Sequence, residues 1–403
     1  LVAETGGLNA MIVDSTALPE QAVRDIVMSA FRSAGQRCSA LRMLYLQQDV
    51  ADRVLEMLFG AMEELSLGDP WPVSIDIGPV IEAEAKADIE DHVERLAAEG
   101  RLLKRIDAPA EGHFVAPAVL QLSGIEALER EVFGPVLHVA TFAAHEIDAV
   151  VDAINAKGYG LTFGLHTRID SRVQQVVDRI HVGNTYVNRN QIGAIVGSQP
   201  FGGEGLSGTG PKAGGPNYVG RFMGGAGHGL ALPEGRHLAR EEVEAALAKL
   251  ERPGAVQHVE TLPGPTGETN RLSLVPRGRV LCLGPTAEAA VAQAGRALEA
   301  GASALLCAPG SPAREIGTPG SVLALDGLVE AGVLRELSGF DAVASEAGGD
   351  ALRAIRQALA AREGPILPLI TADDPPGRFQ LERHLCVDTT AAGGNASLLA
   401  EVE

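Results

Sequence analysis

Apolar and polar positions in the first half of the chain follow two alternating patterns. Short runs of consecutive apolar residues predict buried strands, and stretches of roughly ten to eighteen residues with apolar positions every third or fourth residue predict amphipathic helices. The strands are predicted at 9–14, 41–47, 115–120, 136–142, 161–167 and 184–188, and the helices at 19–34, 50–67, 82–99, 146–157 and 171–180. Strands that alternate with helices favour β-α-β crossovers and a parallel sheet covered on both faces.

A Gly- and Pro-rich stretch at 191–229 interrupts this pattern, and we place a domain boundary within 224–232. Beyond it the α/β pattern restarts. Helices are predicted at 240–250, 287–300 and 351–361, and strands at 279–283, 303–307, 366–370 and, as a final pair, 382–387 with 398–402. The sequence therefore predicts two α/β domains, 1–228 and 229–403.

Composition narrows the class of protein. Hydrophobic residues make up 46% and charged residues 21%, which excludes a largely disordered chain. The net charge of −19 opposes binding to nucleic acid or to an anionic membrane surface. No apolar run is long enough for a membrane span, and because no basic-then-apolar segment opens the chain we expect no secretory leader. Four cysteines are too few for a disulfide framework, so we expect the cytoplasm. Because the chain begins at Leu1 without Met, we expect it to be part of a longer protein.

Cys38 differs from the other three cysteines in its surroundings. Cys282, Cys307 and Cys386 lie in apolar, strand-like runs, where we interpret them as small buried hydrophobic residues. Cys38 instead follows Gly35-Gln36-Arg37 after a predicted helix. The neighbouring arginine favours the thiolate, and a turn after a helix exposes backbone N–H groups toward an oxyanion. Cys38 is therefore a candidate nucleophile.

Glu4 is a candidate partner of this cysteine. It precedes Thr5-Gly6-Gly7, and small residues next to a carboxylate let a substrate approach closely. One strand and one helix separate Glu4 from Cys38, so a single return of the chain can bring both to one sheet edge, where open α/β folds bind ligands. The alternative is a solvated surface acid.

Three ordered motifs resemble the aldehyde dehydrogenase superfamily: ETGGLN at 4–9, GQRC at 35–38 and EVFGPV at 131–136. The stretch GAIVGSQPFGG at 193–203 resembles the aldehyde-anchoring loop of L-glutamate γ-semialdehyde (pyrroline-5-carboxylate) dehydrogenases. Residues 205–216 resemble the same enzyme within the bifunctional proline utilization A family. The resemblance continues from 267–270 to 388–395, which is typical of the long form with an extra C-terminal domain.

The resemblance implies covalent catalysis. Cys38 attacks the aldehyde to give a thiohemiacetal, hydride leaves to NAD⁺, and Glu4 activates the water that hydrolyses the thioester. It also implies a cofactor site at Glu131, Phe133 and Gly6, in which Glu131 accepts hydrogen bonds from the nicotinamide ribose. It assigns substrate contacts to Ser39, to the backbone N–H groups of Gly193 and Ala194, to Arg37 through its charge, and to Phe201 as an apolar wall.

The resemblance also implies partners. The family's oxyanion asparagine, its cofactor-contacting lysine and the unit that holds the adenosine and pyrophosphate precede the motif at Glu4. A proline dehydrogenase domain that uses FAD belongs to the bifunctional protein as well. We therefore expect this chain to be inactive alone, to work with N-terminal domains of the same protein, and to form a homo-oligomer. The domain at 229–403 is expected to be a degenerate, non-catalytic relative that covers the passage between the two active sites.

Alternatives remain at several positions. Gly203-x-Gly205-x-x-Gly208 matches a dinucleotide fingerprint, but it follows no predicted strand and is interpreted as a substrate-side loop. Gly284-Pro285-Thr286 fits either an anion site or a helix cap. Scattered histidines predict no metal site. The rival functions are a dehydrogenase for another semialdehyde, such as succinate semialdehyde, and a structural module without activity.

Overall fold

The structure is a computed structural model that describes residues 1–223, 229–311 and 320–390. The predicted strand at 398–402 lies outside these residues. In the described part of the chain, no helix has both the length and the apolar character needed to cross a bilayer.

The first half forms the alternating elements that its hydrophobic pattern predicts. The helices are α1 (Pro19–Phe31), α2 (Gln48–Glu63), α3 (Ala83–Ala98), α4 (Ile147–Ala156) and α5 (Asp170–Arg179). The strands are β1 (Ala10–Val13), β2 (Met43–Gln47), β3 (Leu102–Arg105), β4 (Ala118–Gln121), β5 (Val136–Phe142), β6 (Tyr159–Gly160), β7 (Thr162–His166), β8 (Asn184–Val187) and β9 (Glu204–Gly205).

The second half is again α/β. Its helices are α6 (Arg240–Lys249), α7 (Ala287–Glu299) and α8 (Gly349–Ala360). Its strands are β10 (His258–Leu262), β11 (Glu268–Pro276), β12 (Arg279–Cys282), β13 (Ser303–Ala308), β14 (Val322–Asp326), β15 (Ala342–Ala344), β16 (Leu369–Ile370) and β17 (Gln380–Asp388).

The chain divides into two compact units, and each unit is made of segments that are not consecutive in the sequence. The first unit contains Glu4–Gly208, Thr261–Arg271 and residues 384–390. The second unit contains Leu1–Ala3, Thr209–Glu260 and Leu272–Arg383, among the residues that the structure describes. Two short segments from late in the sequence thus belong to the first unit.

Most strands of a ten-stranded sheet belong to the first unit, and the strand order of this sheet is β10-β11-β17-β8-β7-β1-β2-β5-β4-β3. From β17 to β4 every neighbouring pair is parallel, and β3 is antiparallel to β4. Because the central strands are buried on both faces, most of their residues are apolar. The fold is a mixed α/β fold with a large, mostly parallel sheet, which confirms the predicted fold class.

The second unit contains a five-stranded sheet in the order β14-β13-β12-β15-β16, parallel throughout. Small side chains of α7 pack against one face of this sheet in a core rich in alanine. Thr286 begins α7 as its N-cap, and its hydroxyl accepts a hydrogen bond from the Ala289 N–H at 3.2 Å. The geometry at 284–286 is therefore that of the helix cap, the second of the two alternatives.

Candidate active site

The turn between α1 and Cys38 has an unusual backbone. Ser33 and Ala34 have φ values of 57° and 53°, in the left-handed region that non-glycine residues rarely adopt, and Gly35 follows with φ of 66°. A short 3₁₀ helix over Arg32–Gly35 contains these residues. Such strain persists only where surrounding contacts impose it, and it is concentrated at functional sites.

Gly35 is also required because a side chain at this position has no space. A Cβ atom there would lie 2.0 Å from the Gly134 carbonyl oxygen, a distance that backbone atoms cannot relieve. The turn that carries Cys38 is therefore packed directly against the backbone of the motif at 131–136. Two of the three motifs found in the sequence are in contact.

The Cys38 thiol is exposed. Partial withdrawal from water nevertheless raises its pKa, and the negative charges of Glu4 and Glu131 raise it further. The backbone N–H groups of Ser39 and of Cys38 itself interact with the sulfur and lower the pKa, although the net shift is upward. Arg37 is not among the main causes of this shift. Arg37 Nε instead donates to the Ser33 hydroxyl at 3.1 Å.

Glu4 is exposed and lies beside the Gly-rich stretch near residue 205. It forms a single antiparallel bridge with Gly208, and the Gly203 N–H donates to Glu4 Oε2 at 3.4 Å. The apolar residues 1–3, which resemble a strand end in sequence, form no strand. The Gly203–Gly208 segment therefore contacts the candidate base.

Asn9 connects the strand after Glu4 to the cysteine. Its side-chain Nδ2 donates to the carbonyl oxygens of Cys38 at 2.7 Å and Ala40 at 2.9 Å. Its Oδ1 accepts the Thr162 N–H at 3.1 Å. This buried side chain thus fixes the backbone on both sides of Ser39. Asn9 is the last residue of the ETGGLN motif, and the sequence alone predicted no role for it.

Glu131 lies between the other two motifs. Its Oε2 accepts the Gly7 N–H at 3.0 Å, and its Oε1 accepts from Arg42 Nη2 at 3.0 Å. A Cβ atom at Gly6 would come within 2.8 Å of Glu131 Oε2. The Phe133 ring is 47% exposed, with the Arg42 guanidinium 5.2 Å from its centroid. A carboxylate next to an exposed ring and a glycine can accept hydrogen bonds from a ligand lying on this surface.

Ser39 is buried beneath the cysteine. Its carbonyl oxygen accepts the Thr162 hydroxyl at 3.2 Å and the Gln191 amide at 3.2 Å. The Gln191 N–H in turn donates to the Ser29 hydroxyl of α1 at 3.2 Å. Gln191 thus ties the start of the loop at 193–203 to the nucleophile turn, a role without a signal in the sequence.

Side chains of the sheet hold one side of the loop at 193–203 by hydrogen bonds, and the loop borders open space at Gly193. Gly193 has φ of 74°, and a Cβ atom there would meet nothing within 4 Å, so its backbone borders open space. Asn184 of β8 donates to the Pro200 carbonyl at 2.8 Å and accepts the Gly202 N–H at 3.2 Å. Phe201 between them is half-buried.

A carboxylate from late in the sequence completes this support. Glu268 Oε1 accepts from the Gln199 amide at 2.7 Å, and Glu268 also forms an ion pair with Arg189. Because residues 261–271 belong to the first unit, Glu268 is part of the same body as the loop. Its importance could not be found from local sequence patterns.

The remaining cysteines, Cys282, Cys307 and Cys386, are buried, as predicted. Within 1–223, 229–311 and 320–390, no group of three His, Cys, Asp or Glu side chains is arranged to hold a metal ion.

Comparison with known proteins places these motifs in context. The model of the "Aldehyde dehydrogenase family" matches residues 1–224. The bifunctional protein PutA of Escherichia coli (strain K12) is 44% identical over 440 aligned positions, covering 99% of this chain and 33% of that protein. The 1-pyrroline-5-carboxylate dehydrogenase of Geobacillus kaustophilus (strain HTA426) is 39% identical over 222 positions, covering 54% of this chain and 43% of that protein. The chain spans about a third of the length of the PutA relatives.

Solved structures agree with this over the first half. A variant of proline utilization A from Bradyrhizobium japonicum is 57% identical with a TM-score of 0.53, covering 55% of this chain and 23% of that one. A 1-pyrroline-5-carboxylate dehydrogenase from Thermus with bound NAD is 38% identical with a TM-score of 0.50, covering 54% of this chain and 42% of that one.

Proposed function

The chain belongs to the aldehyde dehydrogenase family, and from this premise we propose that it carries the NAD-dependent oxidation of L-glutamate γ-semialdehyde to L-glutamate in proline catabolism. The relatives named for PutA and for 1-pyrroline-5-carboxylate dehydrogenase support this substrate. The observation that carries the proposal is the site itself. Cys38 and Glu4 are both exposed, and the segments that carry them both contact the motif at 131–136, through Gly35 against Gly134 and through the Gly7 N–H on Glu131 Oε2 at 3.0 Å.

The proposed chemistry divides one oxidation into two steps on Cys38. Sγ, as thiolate, forms a C–S bond with the aldehyde carbon, and the carbonyl π electrons move to oxygen to give a thiohemiacetal. Loss of hydride from that carbon leaves a thioester. Glu4 then takes a proton from water, the water oxygen attacks the thioester carbon, and the C–S bond breaks to release glutamate. The backbone N–H of Cys38 contributes to stabilising the oxyanion.

NAD⁺, when bound, supplies the acceptor for the hydride. The residues present fit its nicotinamide end. The Glu131 carboxylate keeps acceptor capacity beyond its two bonds, since an ionised carboxylate has about four acceptor positions. The exposed Phe133 ring offers an apolar wall, and Gly6 leaves the approach to Glu131 free of a side chain. These three residues would hold the cofactor beside Cys38.

The substrate's α-carboxylate would bind at the open backbone of the loop at 193–203. The positive φ of Gly193 and the empty space above it suit an anion held by consecutive N–H groups of Gly193 and Ala194. Ser39, Arg37 and Phe201 complete the proposed substrate site. Phe201 would supply the apolar wall.

We further propose that the chain works as one part of a longer, homo-oligomeric, cytoplasmic protein, together with N-terminal domains that include an FAD-dependent proline dehydrogenase. The length of the PutA relatives supports this assignment. The residues from 229 onward are proposed to form a non-catalytic domain. In the part of the second unit that the structure describes, both cysteines, Cys282 and Cys307, are buried in sheet strands.

The decisive experiment measures NADH formation from L-glutamate γ-semialdehyde by this chain joined to its natural upstream sequence. We expect Cys38→Ala to reduce turnover to background because, among the cysteines of residues 1–223, 229–311 and 320–390, the other three are buried. The control is Cys282→Ala, which removes a buried thiol of the second unit and should leave kcat unchanged. Wild-type turnover in Cys38→Ala would refute the assignment.

Two further arms separate the rival functions. A kcat/KM comparison with succinate semialdehyde, which lacks the α-amino and α-carboxylate arrangement, should favour the glutamate aldehyde. Equal values would indicate a different substrate. The 403-residue chain alone is expected to form no NADH, whereas turnover by it would show that no upstream part is needed.

A further inference from the structure

One arginine side chain joins the motifs of the candidate site. Arg42 directly precedes β2, and its side chain is completely buried. Nη1 donates to the carbonyl oxygens of Gly35 at 2.8 Å and Gly134 at 3.1 Å. Nη2 donates to the Arg37 carbonyl at 3.2 Å. Both Nη2, at 3.0 Å, and Nε, at 3.3 Å, donate to Glu131 Oε1.

These five contacts use the full donor set of a guanidinium group. Two of them hold carbonyl groups on either side of Gln36 in the nucleophile turn, and three hold Glu131 and Gly134. Through Glu131 Oε2 and the Gly7 N–H, the same connection reaches the segment that follows Glu4. A lysine could not reproduce this pattern, because its ammonium is a point charge with three donors.

The arginine is itself fixed from its backbone side. The Arg42 carbonyl oxygen accepts from the His138 N–H at 3.0 Å and is 2.9 Å from His138 Nδ1. The Phe133 ring covers the guanidinium. These contacts fix the Arg42 side chain in one position, and Arg42 in turn fixes the groups to which it donates hydrogen bonds.

We propose that Arg42 is a positioning residue that sets the Cys38 thiol in register with the Glu131 carboxylate, and so aligns the nucleophile with the bound end of the nicotinamide cofactor. The role in turnover rests on the proposed function, whereas the geometric role does not. The guanidinium of Arg42 acts through the groups that it binds, which are the backbone of the nucleophile turn, Gly134 and Glu131.

The first test uses Arg42→Lys and needs no enzymatic turnover. The rate of Cys38 alkylation by iodoacetamide is measured against pH, with circular dichroism as the check on folding. Loss of the carbonyl contacts should open the turn to water, so the midpoint of the profile moves to lower pH and the limiting rate at high pH rises several-fold. The control is Arg172→Lys, which alters another arginine–carboxylate pair, with Asp14, in the same unit. A profile of Arg42→Lys that overlays those of the wild type and the control would overturn the proposal.

A second test addresses turnover in the longer protein. Misplacing a reacting group by about 1 Å can cost on the order of 100-fold in rate. We expect kcat per titratable Cys38 to fall at least about ten-fold in Arg42→Lys. A purely structural role would lower the number of titratable sites and leave kcat per site intact, which would overturn the proposal.

A paired variant covers the case in which Arg42→Lys fails to fold. Arg42→Gln combined with Glu131→Gln leaves no unpaired buried charge. It is compared with Glu131→Gln alone, so that the direct effect of Glu131 on the thiol cancels. An additional shift of the alkylation profile in the double variant is expected, and its absence would contradict the role of Arg42. If wild-type protein shows no glutamate semialdehyde turnover but the alkylation shifts occur, the proposed function fails and the geometric role stands.

Discussion

At the scale of single residues, the resting Cys38 thiol is biased toward its protonated form. Withdrawal from water is the largest cause of its raised pKa, and the charge of Glu4 adds to it. The negative charge of the candidate base, Glu4, therefore disfavours the thiolate form of the nucleophile, Cys38. The sequence paired Glu4 with Cys38, but the adjacent Arg37 suggested the opposite sign of the shift, because the withdrawal of the thiol from water depends on tertiary packing.

This arrangement predicts the effect of neutralising Glu4. Glu4→Gln removes a negative charge that disfavours the thiolate, so the pKa of Cys38 should fall. The pH profile of iodoacetamide alkylation should accordingly move to lower pH in the 403-residue chain. Glu56→Gln, an exposed acid on α2 with the same change of charge, should leave the profile in place. An unshifted or upward-shifted profile in Glu4→Gln would show that Glu4 does not act on the thiol.

At the scale of elements, apolar periodicity predicted the helices and many of the buried strands, but it did not predict β11, β14 or β15, although all three residues of β15 are buried. β5 was predicted with its observed bounds, Val136–Phe142. Strands with little buried surface were missed. β10 is exposed along most of its length, and β3 has no fully buried residue, so neither presents an apolar run. The left-handed turn at Ser33 and Ala34 was also unpredictable, because tertiary contacts impose it on residues that do not favour it.

A chain of hydrogen bonds between α3 and the sheet carries a pH dependence. His92 Nε2 and His138 Nε2 are 2.8 Å apart, and His138 Nδ1 faces the Arg42 carbonyl. With His138 donating from Nδ1, its Nε2 accepts the His92 Nε2–H, so the His138 ring must be neutral. His92 Nδ1 is 3.4 Å from Arg95 Nη2 and can accept from it only when the His92 ring is neutral as well. Burial lowers the pKa of His92 to about 4, and burial lowers that of His138 to about 3. Protonation of His138 would break the contact between the two rings, and protonation of His92 at Nδ1 would place a positive charge against Arg95.

The sign of the effect on stability follows from proton linkage. Both folded-state values lie below the usual histidine pKa of about 6.5, so the unfolded chain binds more protons below that pH. This contribution to the free energy of unfolding is complete above about pH 6.5 and is lost as the pH falls toward 4 and 3. Urea unfolding at pH 7.5 and pH 5 should show a smaller loss in His92→Gln, whose amide can still donate to His138, than in wild type or in the exposed-site control His145→Gln. Equal losses in all three proteins would exclude this pair as a source of the pH dependence.

At the scale of the whole molecule, the first unit is completed by residues that are distant in sequence. β17 pairs with β8 through His384–Val387, and Leu385 and Val387 belong to its hydrophobic core. Glu268 supports the loop at 193–203 through Gln199. The motifs of the site could be read from sequence because each is local. The support from Glu268 and β17 could not, because it depends on which strands become neighbours.

The last prediction concerns a chain that ends at residue 228. Removing β17 exposes the edge of β8 and deprives the core of Leu385 and Val387, whose burial is worth roughly 1.5–3 kcal/mol each. We expect a thermal unfolding midpoint at least several degrees below that of the 403-residue chain and a tendency to associate through the open edge, measured by circular dichroism and size-exclusion chromatography. Glu268→Gln separates the support of the loop from the support of the sheet. In the 403-residue chain the β8–β17 pairing should persist. In the longer protein the loosened loop should raise the KM for the aldehyde. The control is Glu260→Gln, an exposed position on β10. A monomeric 1–228 chain with unchanged thermal stability would show that the late segments are dispensable to the first unit.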